Sequence, residues 1–316
     1  MNQKPLVGIS KCLLGEKVRY DSGHKLDRYL HDILGKYVEF VPVCPEVECG
    51  MSIPREAMRL EEIEGNIRLV TQKTKKDMTP QMDKWMTGML SELTNMPLCG
   101  FIFKSKSPSS GLLRVKVYGL KGSITKNGVG IFAKGFTDSF PSVPVEEDAR
   151  LNDGDLRENF IERIFVMLRW NNMNQEKKSL NKIMEFHTIH KYLLMSHCPK
   201  TLKELGGILA NGKMNQIDDL YKEYFKKFIP ALGKIATVKK NTNVLLHIMG
   251  YFKNNLTGDE KKEMIDTIDS YHKEIVPLIV PITLLNHYVR KYQEKYLKDQ
   301  IYLNPHPMEL MLRNHV

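Results

Sequence analysis

The stretch Val38–Arg55, VEFVPVCPEVECGMSIPR, decides the fold. Its apolar run (Val38, Phe40, Val41, Val43) stops at Cys44-Pro45-Glu46. A short apolar run closed by a proline turn reads as a buried strand with polar residues just past its end. Two other stretches stop in the same way. Leu6-Val7-Gly8-Ile9 runs into Ser10-Lys11-Cys12, and Cys99-Gly100-Phe101-Ile102-Phe103 runs into Lys104-Ser105-Lys106-Ser107-Pro108-Ser109-Ser110-Gly111. Between the first two runs, His24–Gly35 carries Leu26, Leu30, Ile33 and Leu34 at helical spacing, with Gly35 as a stop. Strand, helix, strand favours a parallel crossover. In an open parallel sheet, ligands bind outside the carboxyl ends of the strands, so three strands ending in Cys or Ser point to one site.

Further along, Ile67–Thr71 reads as an edge strand. Thr79–Leu93 reads as a helix with Met82, Trp85, Met86, Met89, Leu90 and Leu93 facing inward, ended by Pro97. Val115–Tyr118 reads as a short strand and Gly128–Ala133 as another. Phe140–Asp155, with Pro141, Pro144, Glu146, Glu147 and Asp148, reads as a polar bridge after the last strand. From Leu156 the texture is helical, beginning with Phe160, Ile164, Phe165 and Leu168 and continuing through Leu180, Ile183, Met184, His187 and Leu194. Helices are expected over 216–236, 241–254, 258–280 and 281–297. Phe160, Ile164, Leu168, Leu245, Leu246, Phe252, Leu278 and Leu284 form the expected helical core. The expected fold is a doubly wound, parallel-sheet α/β domain over residues 1–155 followed by an all-α domain over 156–316.

The chain of 316 residues is long enough for two such cores. A net charge of +10 raises the question of an anionic partner. The lysines scatter along helical faces without forming a block, so a solvated surface accounts for them and no nucleic-acid partner is indicated. No apolar leader and no run long enough to span a bilayer is read, so no membrane partner and a cytoplasmic location are expected. The sequence names no oligomeric partner. In a reducing compartment the five cysteines, at 12, 44, 49, 99 and 198, are expected to bind metal or react rather than to form disulfides.

Cys12 and Cys44 are the leading candidates, since each follows an apolar run in a turn rich in Gly or Pro where backbone N–H groups favour thiolate and metal ligation. Cys49, Cys99 and Cys198 have surroundings that burial alone explains. No Cys/His spacing has the compactness of a zinc site. Glu46 is placed to act as a general acid or base, or to serve a helix start. Ser105, Ser107, Ser109 and Ser110, with Lys104 and Lys106, form a loop able to cradle a ligand. Arg19 and Arg55 are candidates to hold an anionic or carbonyl-bearing ligand. His187, His190, His247, His272 and His287 fall on helical faces and read as core or boundary residues.

Three separated motifs in order then carry a resemblance. Ser10-Lys11-Cys12-Leu13-Leu14-Gly15 with Val18-Arg19-Tyr20-Asp21, Pro42-Val43-Cys44-Pro45-Glu46-Val47 with Pro54-Arg55, and Lys104-Ser105-Lys106-Ser107-Pro108-Ser109 resemble the DUF523 family, which includes the thiouracil desulfidases. Arg150-Leu151-Asn152-Asp153, Leu156-Arg157-Glu158-Asn159-Phe160, Asn241–His247 and Gly250-Tyr251-Phe252 resemble the DUF1722 (YbgA-like) helical domain. The resemblance implies a Rossmann-like domain holding a [4Fe-4S] cluster by three cysteines, with the fourth iron open to the sulfur of a thiolated base, a small-molecule substrate. Two of the three map onto Cys12 and Cys44. The third, which closes an SPSCG motif in the family, is Ser110 here. Three accounts of this position follow: Cys49 or Cys99 replaces Ser110 as ligand, Ser110 ligates through its oxygen, or the cluster is absent. Cys99 opens the strand whose far end carries Ser110, which leaves Cys49 the better substitute. The implied roles are Glu46 as the acid–base group, Ser105 and Ser107 in catalysis, and Arg19, Lys104 and Ser109 on the substrate. A non-catalytic binding module that has lost its cluster is the alternative, favoured by Ser110.

Overall fold

In a computed structural model the structure describes residues 3–119, 122–212 and 216–314. The chain divides into two compact units, Met1–Asp153 and Gly154–Val316.

In the first unit, a four-stranded sheet has the order β2-β1-β5-β8, with β1 Leu6–Ser10, β2 Glu39–Val43, β5 Leu98–Phe103 and β8 Val145–Glu147. All three pairings are parallel. The chain leaves β1 toward β2 on one side and returns at β5 on the other, so the sheet order reverses at β1. That is where a crevice opens in folds of this kind. β5 is buried along its whole length. Phe101 and Phe103 stack on each other and pack against Phe132 and Phe136 from α3, Ile131–Ser139. Each such ring contributes about 1.5–3 kcal/mol through burial.

Several expectations change here. Gly128–Ala133 is not a strand: β7 is Ile124–Gly128 and α3 begins at Ile131. Phe132 and Phe136, one helical turn apart, both lie in the aromatic core, and that burial outweighs the strand-like run of small and branched residues. The supposed polar bridge contains β8, whose Glu146 and Glu147 are each only 6% exposed. Their carboxylates are paired with Arg150 and with the backbone N–H groups of Leu112 and Leu113. The helix expected over His24–Gly35 shrinks to a π-helical turn at Tyr29–Ile33 and a 3₁₀ turn at Leu34–Lys36. Asp21, His24 and Asp27 accept nearby backbone N–H groups and hold the preceding segment in turns. Leu30 and Leu34 are buried while Leu26 and Ile33 are exposed.

A second sheet, order β4-β3-β6-β7, lies in the same unit. β3 Met58–Ile63 pairs antiparallel with β4 Asn66–Thr71 and parallel with β6 Val115–Tyr118. β4 is the edge strand expected at Ile67–Thr71. α2, Thr79–Thr94, serves both cores, with Leu93 in the first sheet's cluster and Met82 in the second's.

The second unit is helical: α4 Gly154–Gln175, α5 Leu180–His197, α6 Pro199–Ala210, α7 Ile217–Leu232, α8 Val238–Met249, α9 Gly258–His272, α10 Ile279–Lys291 and α11 Lys295–Lys298. Phe160, Ile161, Ile164, Phe165, Val166 and Trp170 of α4 are all buried, and no clean polar stripe separates them. This is the pattern of a central helix. Of the expected helical core, Phe160, Ile164, Leu245, Phe252 and Leu278 are buried and Leu168 and Leu284 partly so. Leu246 is 48% exposed, because Val244, Leu245 and Ile248 occupy the inward face of α8. His190 is buried and His187 partly so, whereas His247, His272 and His287 are exposed.

Candidate active site

Four segments just past the ends of β1, β2, β5 and β8 surround the switch point. Cys12 sits in a one-turn 3₁₀ helix, Lys11–Leu14, immediately after β1. Gly15 closes that turn at φ 91°, a left-handed conformation that suits glycine. Cys44 flanks α1, Pro45–Glu48, with proline at the first helical position, where its missing N–H costs nothing. Glu48 Oε1 accepts the Cys44 backbone N–H at 2.8 Å and the Lys11 ammonium at 2.9 Å, which ties the two cysteine segments together.

The loop after β5 is held from both sides. Lys104 N–H donates to Ser10 Oγ at 2.9 Å. Asp148, just past β8, accepts Lys104 Nζ at 2.7 Å and Ser105 N–H at 2.7 Å through its two oxygens. At the other end, N–H groups of Gly130, Ile131 and Phe132 reach the carbonyls of Gly111, Pro108 and Ser109. A Cβ at Gly130 would meet the Ser109 carbonyl at 2.6 Å, so this approach needs glycine.

These segments line one crevice of about 400 Å³ containing Cys12, Cys44, Arg19, Glu46, Lys104 and the Ser105–Ser110 loop, a size suited to a small molecule. Glu46 lies at the centre of a directed polar chain. Its Oε2 accepts Arg55 Nε at 2.9 Å as well as the second guanidinium nitrogen, and its Oε1 accepts Ser109 Oγ–H at 2.8 Å. Ser107 Oγ accepts the N–H groups of Ser110 and Ser109, at 3.1 and 3.3 Å, so its own proton points to Ser109 Oγ, 3.0 Å away. The hydroxyl protons thus run from Ser107 to Ser109 to Glu46. Arg55 also donates to the Val18 carbonyl at 2.9 Å, locking the 15–23 loop over the crevice. Arg19 is stacked near Tyr20 and paired with Asp21 at 3.4 Å.

The crevice brings together Cys12, Cys44, Ser110, Glu46, Ser105, Ser107, Ser109, Arg19 and Lys104. Cys49 lies outside it: its thiol donates to the Glu46 carbonyl at 3.3 Å, and its side chain packs against the second sheet's core. Cys99 opens β5, at the end away from the crevice. Lys104 is neutralised by Asp148 and clamps its own loop. Sequence reasoning missed Glu48 and Asp148. Asp148 follows β8 as the other site residues follow their strands, and finding that strand would have exposed it.

Burial, then the neighbouring Cys44, pushes the Cys12 thiol up to about 11. Burial also raises Cys44, and burial followed by Glu46 takes Cys49 to about 11. Among the described residues, no hydrogen-bond partner meets the Cys12 thiol or the Ser110 hydroxyl, both buried and both lining the crevice. The Cys44 thiol has a long contact, 3.9 Å, to the Val18 carbonyl. An unpartnered and a weakly partnered thiol in a crevice with basic side chains fit a soft, electron-poor metal group, for which thiolate is the natural ligand. The donor set is two thiols and one harder hydroxyl oxygen.

This geometry defines a Rossmann-like domain with a thiol-lined small-molecule crevice, followed by an all-helical unit. Known families match in the same order. Residues 7–148 match 2-thiouracil desulfurase, and residues 191–307 match DUF1722, described as a protein of unknown function. The chain is a fusion of a 2-thiouracil desulfurase-like domain and a DUF1722 domain. It is 26% identical over 153 residues, 48% of this chain and 90% of the relative, to the uncharacterized protein YbgA of Escherichia coli (strain K12). A solved [4Fe-4S]-dependent thiouracil desulfidase, TudS, shares 26% identity over 48% of this chain and 95% of its own, with a TM-score of 0.37. Among the described residues no helix is long and apolar enough to cross a membrane.

Proposed function

We propose that the crevice removes sulfur from a thiolated nucleobase or related heterocycle by hydrolysis. One observation carries the reading: two partner-free or weakly partnered thiols share a crevice with a carboxylate that terminates a hydroxyl relay. The 2-thiouracil desulfurase match spans every one of these residues. Cys12 and Cys44 would hold a [4Fe-4S] cluster, with the Ser110 hydroxyl or the nearby Cys49 as third ligand, and such a cluster supplies a thiophilic Lewis acid.

The remaining work falls to the chain. Water adds to the carbon bearing sulfur, the C–S bond breaks, oxygen stays on the ring and sulfur leaves as hydrogen sulfide. Glu46 takes the proton from that water. Arg55 fixes the carboxylate through two N–H groups, while Ser109 and Ser107 orient it and offer a path for the proton. The Ser105–Ser109 loop, clamped by Asp148, presents hydroxyl and N–H groups to the heteroatoms of the ring, and Arg19 closes one side.

The test is anaerobic reconstitution, with iron and acid-labile sulfide counted per chain and sulfide release from 2-thiouracil followed. Glu46→Gln should cut turnover by about 10²–10⁴-fold with iron unchanged. If iron binds and Glu46→Gln retains full turnover, the acid–base assignment fails. Ser110 favours a second reading, a cluster-free binding module, and no iron together with no sulfide release would establish it.

A further inference from the structure

The helical unit contains a second set of ligating groups unrelated to the crevice. Glu158 and Glu162 lie one turn apart on α4, and His306 enters from the segment after the 3₁₀ turn Ile301–Leu303. One ligand atom from each of the three residues lies within 4.8 Å of the others. Glu162 is 4% exposed and His306 8%.

The state of His306 is informative. Its Nδ1 faces the Pro307 carbonyl at 3.1 Å and therefore carries the proton. Nε2 is left as a bare lone pair, buried and without a hydrogen-bond partner among the described residues. A buried acceptor with no donor is costly in a core. An imidazole whose far nitrogen donates to a backbone carbonyl is also the arrangement that prepares the other nitrogen for a metal.

The carboxylates are prepared in the same way. Arg313 Nε donates to Glu158 Oε1 at 3.0 Å, and its NH2 to Glu162 Oε1 at 2.8 Å. His197 Nε2 lies 3.2 Å from Glu162 Oε2, while its Nδ1 donates to the Lys234 carbonyl at 2.6 Å. One guanidinium spans the partly buried carboxylate of Glu158 and the buried one of Glu162. Arg169 is the other guanidinium in range: its NH2 donates to the Pro305 carbonyl at 2.7 Å, and its NH1 is buried without a hydrogen-bond partner among the described residues. An ion-pair network would be complete with Arg313 and would give no role to the bare nitrogen of His306.

We infer that Glu158, Glu162 and His306 form a site for a divalent first-row transition-metal cation, held by two carboxylate oxygens and one imidazole nitrogen, with His197 and Arg313 as positioning residues. The absence of thiolate selects Mn²⁺, Fe²⁺, Co²⁺ or Zn²⁺ over cuprous copper. A hollow of about 130 Å³ lined by Asn304, His306, Met308 and Arg313 gives the ion a route in. Its effect would be to clip the C-terminal segment onto α4.

The probe is Co²⁺, titrated into the full-length protein and into full-length Cys12→Ser/Cys44→Ser, which removes the crevice thiols. The double variant should bind one Co²⁺ per chain with weak d–d absorption and no thiolate charge-transfer band, and its thermal midpoint should rise. His306→Gln in that background should weaken binding at least tenfold with the far-ultraviolet dichroism unchanged, and His197→Gln by about 10–100-fold. If His306→Gln does not fold, imidazole ¹⁴N coupling to Mn²⁺ in the unsubstituted site reads the ligand directly. No Co²⁺ bound by the double variant, a charge-transfer band, equal affinity in His306→Gln, or no ¹⁴N coupling would each overturn the assignment.

Discussion

The two units treat a buried thiol in opposite ways. In the crevice, Cys12 and Cys44 are 8% exposed and their thiols are pushed up, Cys12 to about 11, with burial as the first cause in both. Cys198, ahead of α6 in the helical unit, is 6% exposed, and burial raises it too. There, however, Thr201 Oγ1 at 3.2 Å and the Lys234 ammonium at 3.5 Å outweigh burial and bring the thiol below its usual value. The difference lies in who supplies the compensating charge. Cys198 already has it from the protein. Lys104 and Arg19 act on Cys12 from a distance, but Asp148 and Asp21 neutralise them. Cys12 therefore rests as a neutral thiol, and under the proposed function a bound cation would supply the charge that Cys198 receives from the protein.

Alkylation against pH gives the largest contrast. In cluster-free protein, Cys12 should label slowly at pH 7.5, with its rate rising about tenfold per pH unit until pH approaches 11, because only the thiolate reacts. Cys198 should level off below pH 9. Its weaker intrinsic nucleophilicity recovers only part of the gap, so at pH 7.5 Cys198 should lead by about tenfold. Peptide mass spectrometry after timed iodoacetamide exposure measures both sites in one sample. Equal rates at pH 7.5 would remove the distinction. Loading with iron and sulfide should protect Cys12 and Cys44 and leave Cys198 unchanged.

Ser110→Cys sharpens the comparison by adding a third thiol where the hydroxyl now lines the crevice. Ser110 is 4% exposed and its Oγ makes no hydrogen bond among the described residues, so a nearly isosteric sulfur displaces nothing. Iron retained per chain should rise severalfold after air exposure, since a cluster held at three thiolates leaves less iron open to exchange. Full and equal occupancy in both proteins would show that a third ligand is already in place, either the Ser110 hydroxyl or Cys49 after a rearrangement of α1 that turns its thiol from the Glu46 carbonyl.

How much of this was legible depended on the type of signal. β1, β2 and β5 announce themselves by unbroken apolar runs, and the site residues follow because the polar residue after a buried strand must surface at its end. β8 has no such run. Its Glu146 and Glu147 look like solvent-facing residues until their partners are known, and Asp148 was lost with them. β3, Met58–Ile63, alternates buried Met58 and Leu60 with Arg59 and Glu61, the pattern of a half-buried strand in a separate sheet. The helical periodicity was plain, but the pattern alone did not assign α6, and it placed Leu246 on the wrong face of α8. Glu158, Glu162 and His306 carry no local signature at all. They meet only because the C-terminal segment folds back onto α4.

Lys234→Met gives the smallest effect and isolates the cause of the contrast. Lys234 Nζ lies 3.5 Å from Cys198 Sγ, and methionine keeps most of the aliphatic stem without the charge. Losing the ammonium removes one of the two side-chain groups that favour the thiolate, and the Thr201 hydroxyl remains. The thiol should therefore move up toward its ordinary value without reaching that of Cys12. Its labelling rate at pH 7.5 should fall severalfold, and the pH at which the rate levels off should rise. The His197–Lys234 contact uses the backbone carbonyl and survives the substitution, so a change at Cys198 reports the charge rather than a shifted helix. Cys12 in the same sample is the internal control. An unchanged Cys198 rate would mean that Thr201 and the backbone at the start of α6 hold the thiolate by themselves, and that the contrast between the two units rests on hydrogen bonding rather than on a supplied cation.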